Sequence, residues 1–140
     1  MIIYSFEDIY NHSKYGLPMK VGSKYYFTSN TRLQNQDIFY SIDSIDSNDI
    51  KEFLDPNQLS ADGTTSVLFT IFSRDGKYCA YGLSRGGSDW VTLKIKDTDT
   101  LKDLPETLTK LKFSYPIWTA DNLGFFYAVI YDKLITLVNL

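Results

Sequence analysis

The sequence is poor in the residues that most often carry chemistry. It has one cysteine, Cys79, and one histidine, His12. A lone cysteine forms no internal disulfide and no Cys-x-x-Cys redox pair. With a single histidine beside it, the chain alone cannot assemble a four-ligand Cys/His zinc site. Four prolines and eight glycines in 140 residues exclude a collagen-like or low-complexity chain. An excess of charge of one sign is lacking too. The 14 Lys+Arg stand against 17 Asp+Glu, a net charge of −3, which leaves no electrostatic footprint for nucleic acid or an acidic membrane surface. The most apolar stretch, Leu123 to Val138, is interrupted by Asp132 and Lys133 and falls short of the roughly 20 residues a membrane-crossing helix needs. The opening MIIYSFEDIY meets Glu7 and Asp8 with no basic region before them, unlike a secretory signal. The sequon Asn11-His12-Ser13 is then expected to stay unused. A soluble, cytoplasmic protein without nucleic-acid or membrane partners is the expectation.

What the chain does have is aromatic and β-branched. A hydrophobic fraction of 44% with 16% aromatics argues for a packed core, and a fold of this size hides roughly 68% of its unfolded surface. Runs of Tyr, Phe, Val, Ile and Thr predict strands at Lys24–Ser29, Ile38–Asp43, Val67–Phe72, Tyr78–Leu83, Val91–Ile95, Leu111–Phe113, Phe125–Ile130 and Leu134–Val138, because such side chains pack well on a pleated surface. The punctuation between them suits tight turns: Asp55-Pro56-Asn57, Asp62-Gly63, Asp75-Gly76, Gly86-Gly87 and Asp121-Asn122. Residues 101–110 read as at most one helical turn, interrupted by Pro105. Short consecutive strands with tight turns predict an all-β, antiparallel architecture.

A repeat refines this. Phe72-Ser73-Arg74-Asp75-Gly76-Lys77-Tyr78 is echoed 46 residues on by Trp118-Thr119-Ala120-Asp121-Asn122-Leu123-Gly124, and each leads into an aromatic strand. A weaker echo lies at Val21-Gly22-Ser23-Lys24, offset 54 residues from Gly76 by way of Gly22. Units of about 40–50 residues holding four strands have the size of β-propeller blades. The chain has room for a partial propeller of about two to three blades. A sandwich or an open barrel remains the alternative on the repeat alone.

Three sets of residues invite a chemical reading. Gly82-Leu83-Ser84-Arg85-Gly86 matches G-x-S-x-G, whose serine is exposed by a strand-to-helix turn in α/β-hydrolases. Here the residues after it read as a second strand, and the one available base, His12, precedes Ser84 by 72 residues. A hairpin loop is the expectation. Asp43, Asp46, Asp49, Glu52 and Asp55 form an acidic window relieved by Lys51, but lack the spacing of a calcium loop and read as a solvated edge. Tyr25, Tyr26 and Phe27 resemble a base-stacking platform, yet without a basic stripe they read as packing residues. Trp90 and Trp118 are expected to pack between sheets, and Cys79 to be a buried, inert thiol. No catalytic, cofactor-binding or metal-binding residue is assigned.

Several longer words are more specific. Thr31-Arg32-Leu33-Gln34-Asn35-Gln36, then FLDPNQLSADGT at 53–64, and above all FSRDGKYCAYGLSRGGSDW at 72–90 resemble the first blades of the seven-bladed propeller of the prolyl oligopeptidase family. The resemblance runs from about Tyr10 to Tyr127. It implies a lead-in at 1–20, a partial propeller at 21–127 and a divergent segment at 128–140. The family comprises cytosolic serine peptidases that cut after proline in short peptides. Their Ser, Asp and His lie in a separate α/β-hydrolase domain, which the propeller caps as a filter against large, folded substrates. None of those catalytic positions falls in this stretch. Asp75-Gly76 and Asp121-Asn122 would be inter-strand turns, and Gly82, Ser84, Gly87, Ser88, Asp89 and Trp90 one strand–loop–strand. The resemblance implies a fragment of a gating propeller, inactive alone, whose partners are a hydrolase domain or further copies meeting through exposed blade faces. A stand-alone interaction module binding peptides or a full-length homologue is the second reading, and a small hydrolase using Ser84 and His12 the third.

Overall fold

The computed structural model describes residues 13–30, 34–129 and 134–140. Among them the chain forms twelve strands and one short 3-10 helix, in two compact units, Met1–Gly63 and Thr64–Leu140.

The first unit holds one antiparallel sheet of β1 (Lys14–Tyr15), β2 (Met19–Val21), β3 (Lys24–Asn30), β4 (Ile38–Ile42) and β5 (Lys51–Leu54). β1 and β2 both pair with β3 on the edge that β4 leaves free. They act as one outer strand broken at Gly16-Leu17-Pro18. Pro18 has no N–H to give a ladder, so its place is an edge. The Gly16 N–H carries the pairing on, donating to the Thr28 carbonyl at 2.8 Å. Tyr26 and Phe53 are buried and meet edge to face, 5.1 Å between ring centres, while Phe27 stacks on Tyr40. These aromatics pack, as the sequence predicts. The echo at Gly22 is a hairpin of another kind: Val21 pairs directly with Lys24 across a two-residue turn, with Gly22 at a φ of 56°.

Two separate sequence words meet in this unit. Asp55 caps the helix Pro56–Gln58, accepting the Asn57 N–H at 2.9 Å. The Asn57 side chain then accepts from the Gln36 N–H at 3.0 Å and donates to the Gln36 carbonyl at 2.9 Å. One amide thus satisfies both backbone groups of a loop residue 21 positions away. Thr31, Arg32 and Leu33 lie outside the described residues.

The second unit contains a four-stranded meander, β6 (Thr65–Phe72), β7 (Tyr78–Arg85), β8 (Val91–Asp97) and β9 (Asp103–Leu111), and a three-stranded sheet of β10 (Ile117–Trp118), β11 (Gly124–Val129) and β12 (Leu134–Asn139). The four-stranded sheet has the make-up of a propeller blade. Ala80, Val91, Leu93, Ile95 and Leu111 from it form one buried cluster with Trp118 and Phe125 from the smaller sheet. Gly82 in β7 is required by this packing, because a Cβ there would lie 2.5 Å from the Phe69 ring and 2.9 Å from a Val91 methyl.

Three sequence expectations are corrected here. Residues 101–110 are not a helical turn but most of β9. Pro105 is tolerated because β9 is an edge strand and the ladder to β8 is irregular there: Lys94 pairs with Thr107 and Lys96 with Asp103, so β9 spends two extra residues across that interval. A second irregularity sits beside Lys110, whose φ is 63°. The strand expected at Leu111–Phe113 ends at Leu111, and Phe113 turns outward at a φ of 53°. Trp90, expected between sheets, is exposed, with the Lys112 ammonium 5.5 Å above its ring. Trp118 is buried as expected and donates its indole N–H to the Ile71 carbonyl at 3.0 Å.

Candidate functional site

The G-x-S-x-G stretch closes a hairpin. β7 ends at Arg85, Gly86 and Gly87 turn at φ 59° and 71°, and β8 begins at Val91. Ser84 is 2% exposed and donates its hydroxyl to the Ser88 carbonyl. A nucleophile must reach a substrate and touch a base; this hydroxyl is spent on its own turn. His12 lies outside the described residues. Cys79 is fully buried in β7, and burial raises its thiol well above the usual range, which suppresses the reactive thiolate.

The 46-residue echo is the same turn built twice. The Ser73 N–H donates to the Tyr78 carbonyl at 2.8 Å, and Thr119 donates likewise to Gly124 at 2.9 Å. The Ser73 hydroxyl donates to Asp75 at 2.7 Å, and Thr119 to Asp121 at 2.6 Å. Each aspartate in turn accepts a backbone N–H two residues on, from Lys77 and from Leu123, both at 3.1 Å. Gly76 and Asn122 take the left-handed corner at φ 76° and 61°, a conformation that glycine and asparagine tolerate best. The serine and threonine hydroxyl bonds hold both carboxyls below the ordinary aspartate value. The copies also touch: Asn122 accepts the Arg74 N–H at 2.9 Å.

A polar cluster lies across β7, β8 and β9. Lys96, only 9% exposed, sits 3.0 Å from Asp103 and donates to the Leu101 carbonyl at 3.1 Å. Tyr81 donates to the other Asp103 oxygen at 2.8 Å, and Lys94 lies 3.6 Å from that oxygen. Burial alone would raise the Asp103 carboxyl, but the Tyr81 bond and the two lysines bring it below its usual value. Burial, then the bond to Asp103, raises Tyr81. Every charge in the cluster faces a partner, so it reads as framework rather than a reactive centre. The acidic window is also locally engaged: Lys51 lies 3.0 Å from Asp43 and 3.4 Å from Asp49, and Gln58 bridges Asp55 and Glu52.

Two hollows open on the second unit. One of about 560 Å³ is lined by Phe113, Ser114, Tyr115, Ile117, Phe126, Tyr127 and Ala128. One of about 230 Å³ shares Phe113, Ser114 and Tyr115 with it and reaches Ser88 and Asp89. Among its described lining residues the larger has no Asp, Glu, His or Lys, and in the smaller Asp89 is paired with Lys112 at 3.0 Å while the Ser84 hydroxyl is held by Ser88.

A family model described as "Prolyl oligopeptidase, N-terminal beta-propeller domain" matches residues 1–136. The chain belongs to the prolyl oligopeptidase family. It is 44% identical to a prolyl endopeptidase of Elizabethkingia meningoseptica over 126 residues, 90% of this chain but 17% of that protein. It is 34% identical to prolyl oligopeptidase A of Amanita bisporigera, over 88% of this chain and 19% of that one. Prolyl oligopeptidase B of Galerina marginata, solved with a 35-residue substrate, superposes with a TM-score of 0.80 at 27% identity, over 94% of this chain and 22% of its own. The chain therefore spans about a fifth of the length of these relatives. It aligns to the propeller portion of prolyl oligopeptidases, without their catalytic domain. Its strands are part of such a propeller, and the repeated Ser73 and Thr119 turns are the corresponding corners of successive sheets.

Proposed function

We propose that this chain serves as part of the gating propeller of a prolyl-oligopeptidase-type serine endopeptidase in the cytoplasm, a filter that admits short peptides to an α/β-hydrolase domain. Chemistry belongs to that domain, and these 140 residues alone hydrolyse nothing. The match to the family's propeller over residues 1–136 supports the reading. The burial of Ser84, whose hydroxyl is committed to Ser88, supports catalytic silence. Two measurements test it. The purified chain is expected to give no turnover of a chromogenic proline peptide; turnover lost on Ser84→Ala would overturn the assignment. Grafting this chain onto the hydrolase remainder of the Elizabethkingia meningoseptica enzyme is expected to give a chimera that cleaves short proline peptides and spares a folded protein. A chimera that cuts both equally well would refute the gating role.

A further inference from the structure

Asp62-Gly63 and Asp75-Gly76 are the chain's two Asp-Gly pairs. Such a pair carries its own reaction. Glycine has no side chain to screen its backbone nitrogen, so that nitrogen can attack the carboxyl carbon of the preceding aspartate. A C–N bond forms, a C–O bond breaks, and water leaves with the amide proton. Water then opens the five-membered imide. Addition at the side-chain carbonyl restores aspartate, whereas addition at the main-chain carbonyl leaves isoaspartate, with one extra carbon in the backbone. The atoms balance without an oxidant or a co-reactant other than water.

The corner between β6 and β7 restrains both reacting groups of the second pair. Asp75 is exposed to solvent, yet its Oδ1 accepts the Ser73 hydroxyl at 2.7 Å and the Lys77 N–H at 3.1 Å. These bonds favour the ionised carboxylate, which is a poor electrophile, and the Ser73 bond leads in holding the carboxyl below its usual value. Ser73 itself is 1% exposed, and its hydroxyl oxygen accepts the Tyr78 N–H at 2.9 Å, which keeps it in place. Gly76 is buried. Its N–H donates to the Ser73 carbonyl at 2.9 Å, and its carbonyl accepts the Thr98 hydroxyl at 2.7 Å. We propose that Asp75 is a latent site of spontaneous isomerisation to isoaspartate, kept closed by the Ser73 hydroxyl. The extra carbon would enter the loop that Ser73 and Tyr78 close, and would displace Arg74, whose N–H donates to Asn122 in the corner before β11. Modification of one corner thus loosens two sheets. This inference stands apart from the gating reading, since it concerns the backbone chemistry of one corner and no substrate.

Peptide mapping of the purified chain during storage at neutral pH tests it, with isoaspartate read by enzymatic methyl-ester labelling. The folded wild type is expected to accumulate isoaspartate at residue 75 at least about tenfold more slowly than the same chain in urea. Ser73→Ala is expected to raise the folded rate at Asp75 about tenfold, the population shift that one hydrogen bond to a charged group commands, and to leave Asp62 at its wild-type rate. Asp103→Ala weakens the same four-stranded sheet through Lys96 and Tyr81 rather than the corner, and should keep Asp75 near the wild-type rate. An Asp75 that converts in the folded wild type as fast as in urea overturns the proposal, and so does a Ser73→Ala rate equal to the wild type's. It also falls if Ser73→Ala speeds Asp62 along with Asp75, or if Asp103→Ala speeds Asp75 as much as Ser73→Ala does, since either result traces the protection to global folding and not to the hydroxyl.

Discussion

Removing the Asp103 carboxylate is the sharpest perturbation the structure suggests. Asp103 sits between a nearly buried ammonium, Lys96 at 3.0 Å, and the Tyr81 hydroxyl at 2.8 Å. Asp103→Ala leaves Lys96 with the Leu101 carbonyl and a distant tyrosine ring. Breaking a buried pair from one side typically costs about 3–5 kcal/mol, chiefly through the charge left uncompensated. Asp103 retains about a third of its side-chain exposure, which screens the pair and favours the lower end. With the lost Tyr81 acceptor included, the expected cost is about 3 kcal/mol. At about 3–4 °C per kcal/mol for a chain of this size, the melting midpoint should fall by about 10 °C. The decisive comparison is a second substitution. Lys96→Met removes the stranded ammonium while keeping its stem, so Asp103→Ala with Lys96→Met should be more stable than Asp103→Ala alone. Urea unfolding followed by tyrosine and tryptophan fluorescence reads all four proteins of the cycle. A single-variant loss under about 1 kcal/mol, or a double variant no better than Asp103→Ala, would refute the account of Lys96 as a charge held in place by its partner.

Other expectations follow from packing and protonation. Gly82→Ala drives a methyl into Phe69 and Val91 and should cost about 1–3 kcal/mol in the same unfolding assay; an unchanged midpoint would show that β6 and β8 yield easily. Asn122→Ala removes both a tolerant left-handed corner and the acceptor for Arg74, with an expected loss of about 1–2 kcal/mol, whereas Asn122→Gly should recover the corner part of it. The carboxyls of Asp75, Asp97, Asp103 and Asp121 all lie below their ordinary values in the folded chain. A depressed folded value means stability that is present above the unfolded value and drains away as pH falls through the folded one. The melting midpoint should therefore drop below about pH 4, and a midpoint equal at pH 5 and pH 3 would contradict it. Cys79 should resist a thiol reagent until urea opens the sheet; labelling at the full rate in native buffer would place it elsewhere.

Most strands were legible because their residue types and their turns agreed. Asp75-Gly76 and Asp121-Asn122 mark corners by chemistry that acts within six residues, so sequence alone locates them, and the family words extend the reading to the blade. β9 escaped because its evidence is tertiary. Pro105 and a glutamate- and lysine-bearing stretch look unlike a strand until β8 supplies a partner and the extra residues of an irregular ladder absorb the proline. The polar cluster was lost with it. Lys94 and Lys96 stand two apart, on one face of a strand, and Tyr81 pairs with Lys94; that spacing was visible, but it gains meaning only once Asp103 is on the neighbouring strand. Trp90 was misplaced for the opposite reason: its apolar bulk suggested a core, while the loop after Gly87 and the reach of Lys112 set it outside.

The bond from Arg74 to Asn122 gives the chain a built-in reporter. The Arg74 N–H belongs to the corner between β6 and β7, yet its acceptor lies in the corner that precedes β11. Its exchange with deuterated solvent therefore responds to displacement of the Asn122 corner, and so to separation of the three-stranded sheet from the four-stranded one, as well as to fraying of its own hairpin. Comparison with the Gly76 N–H, which is bonded to Ser73 within the same corner, splits local loosening from blade detachment in a single spectrum. Two amides two residues apart thus keep separate clocks, one for a turn and one for the seam between neighbouring sheets.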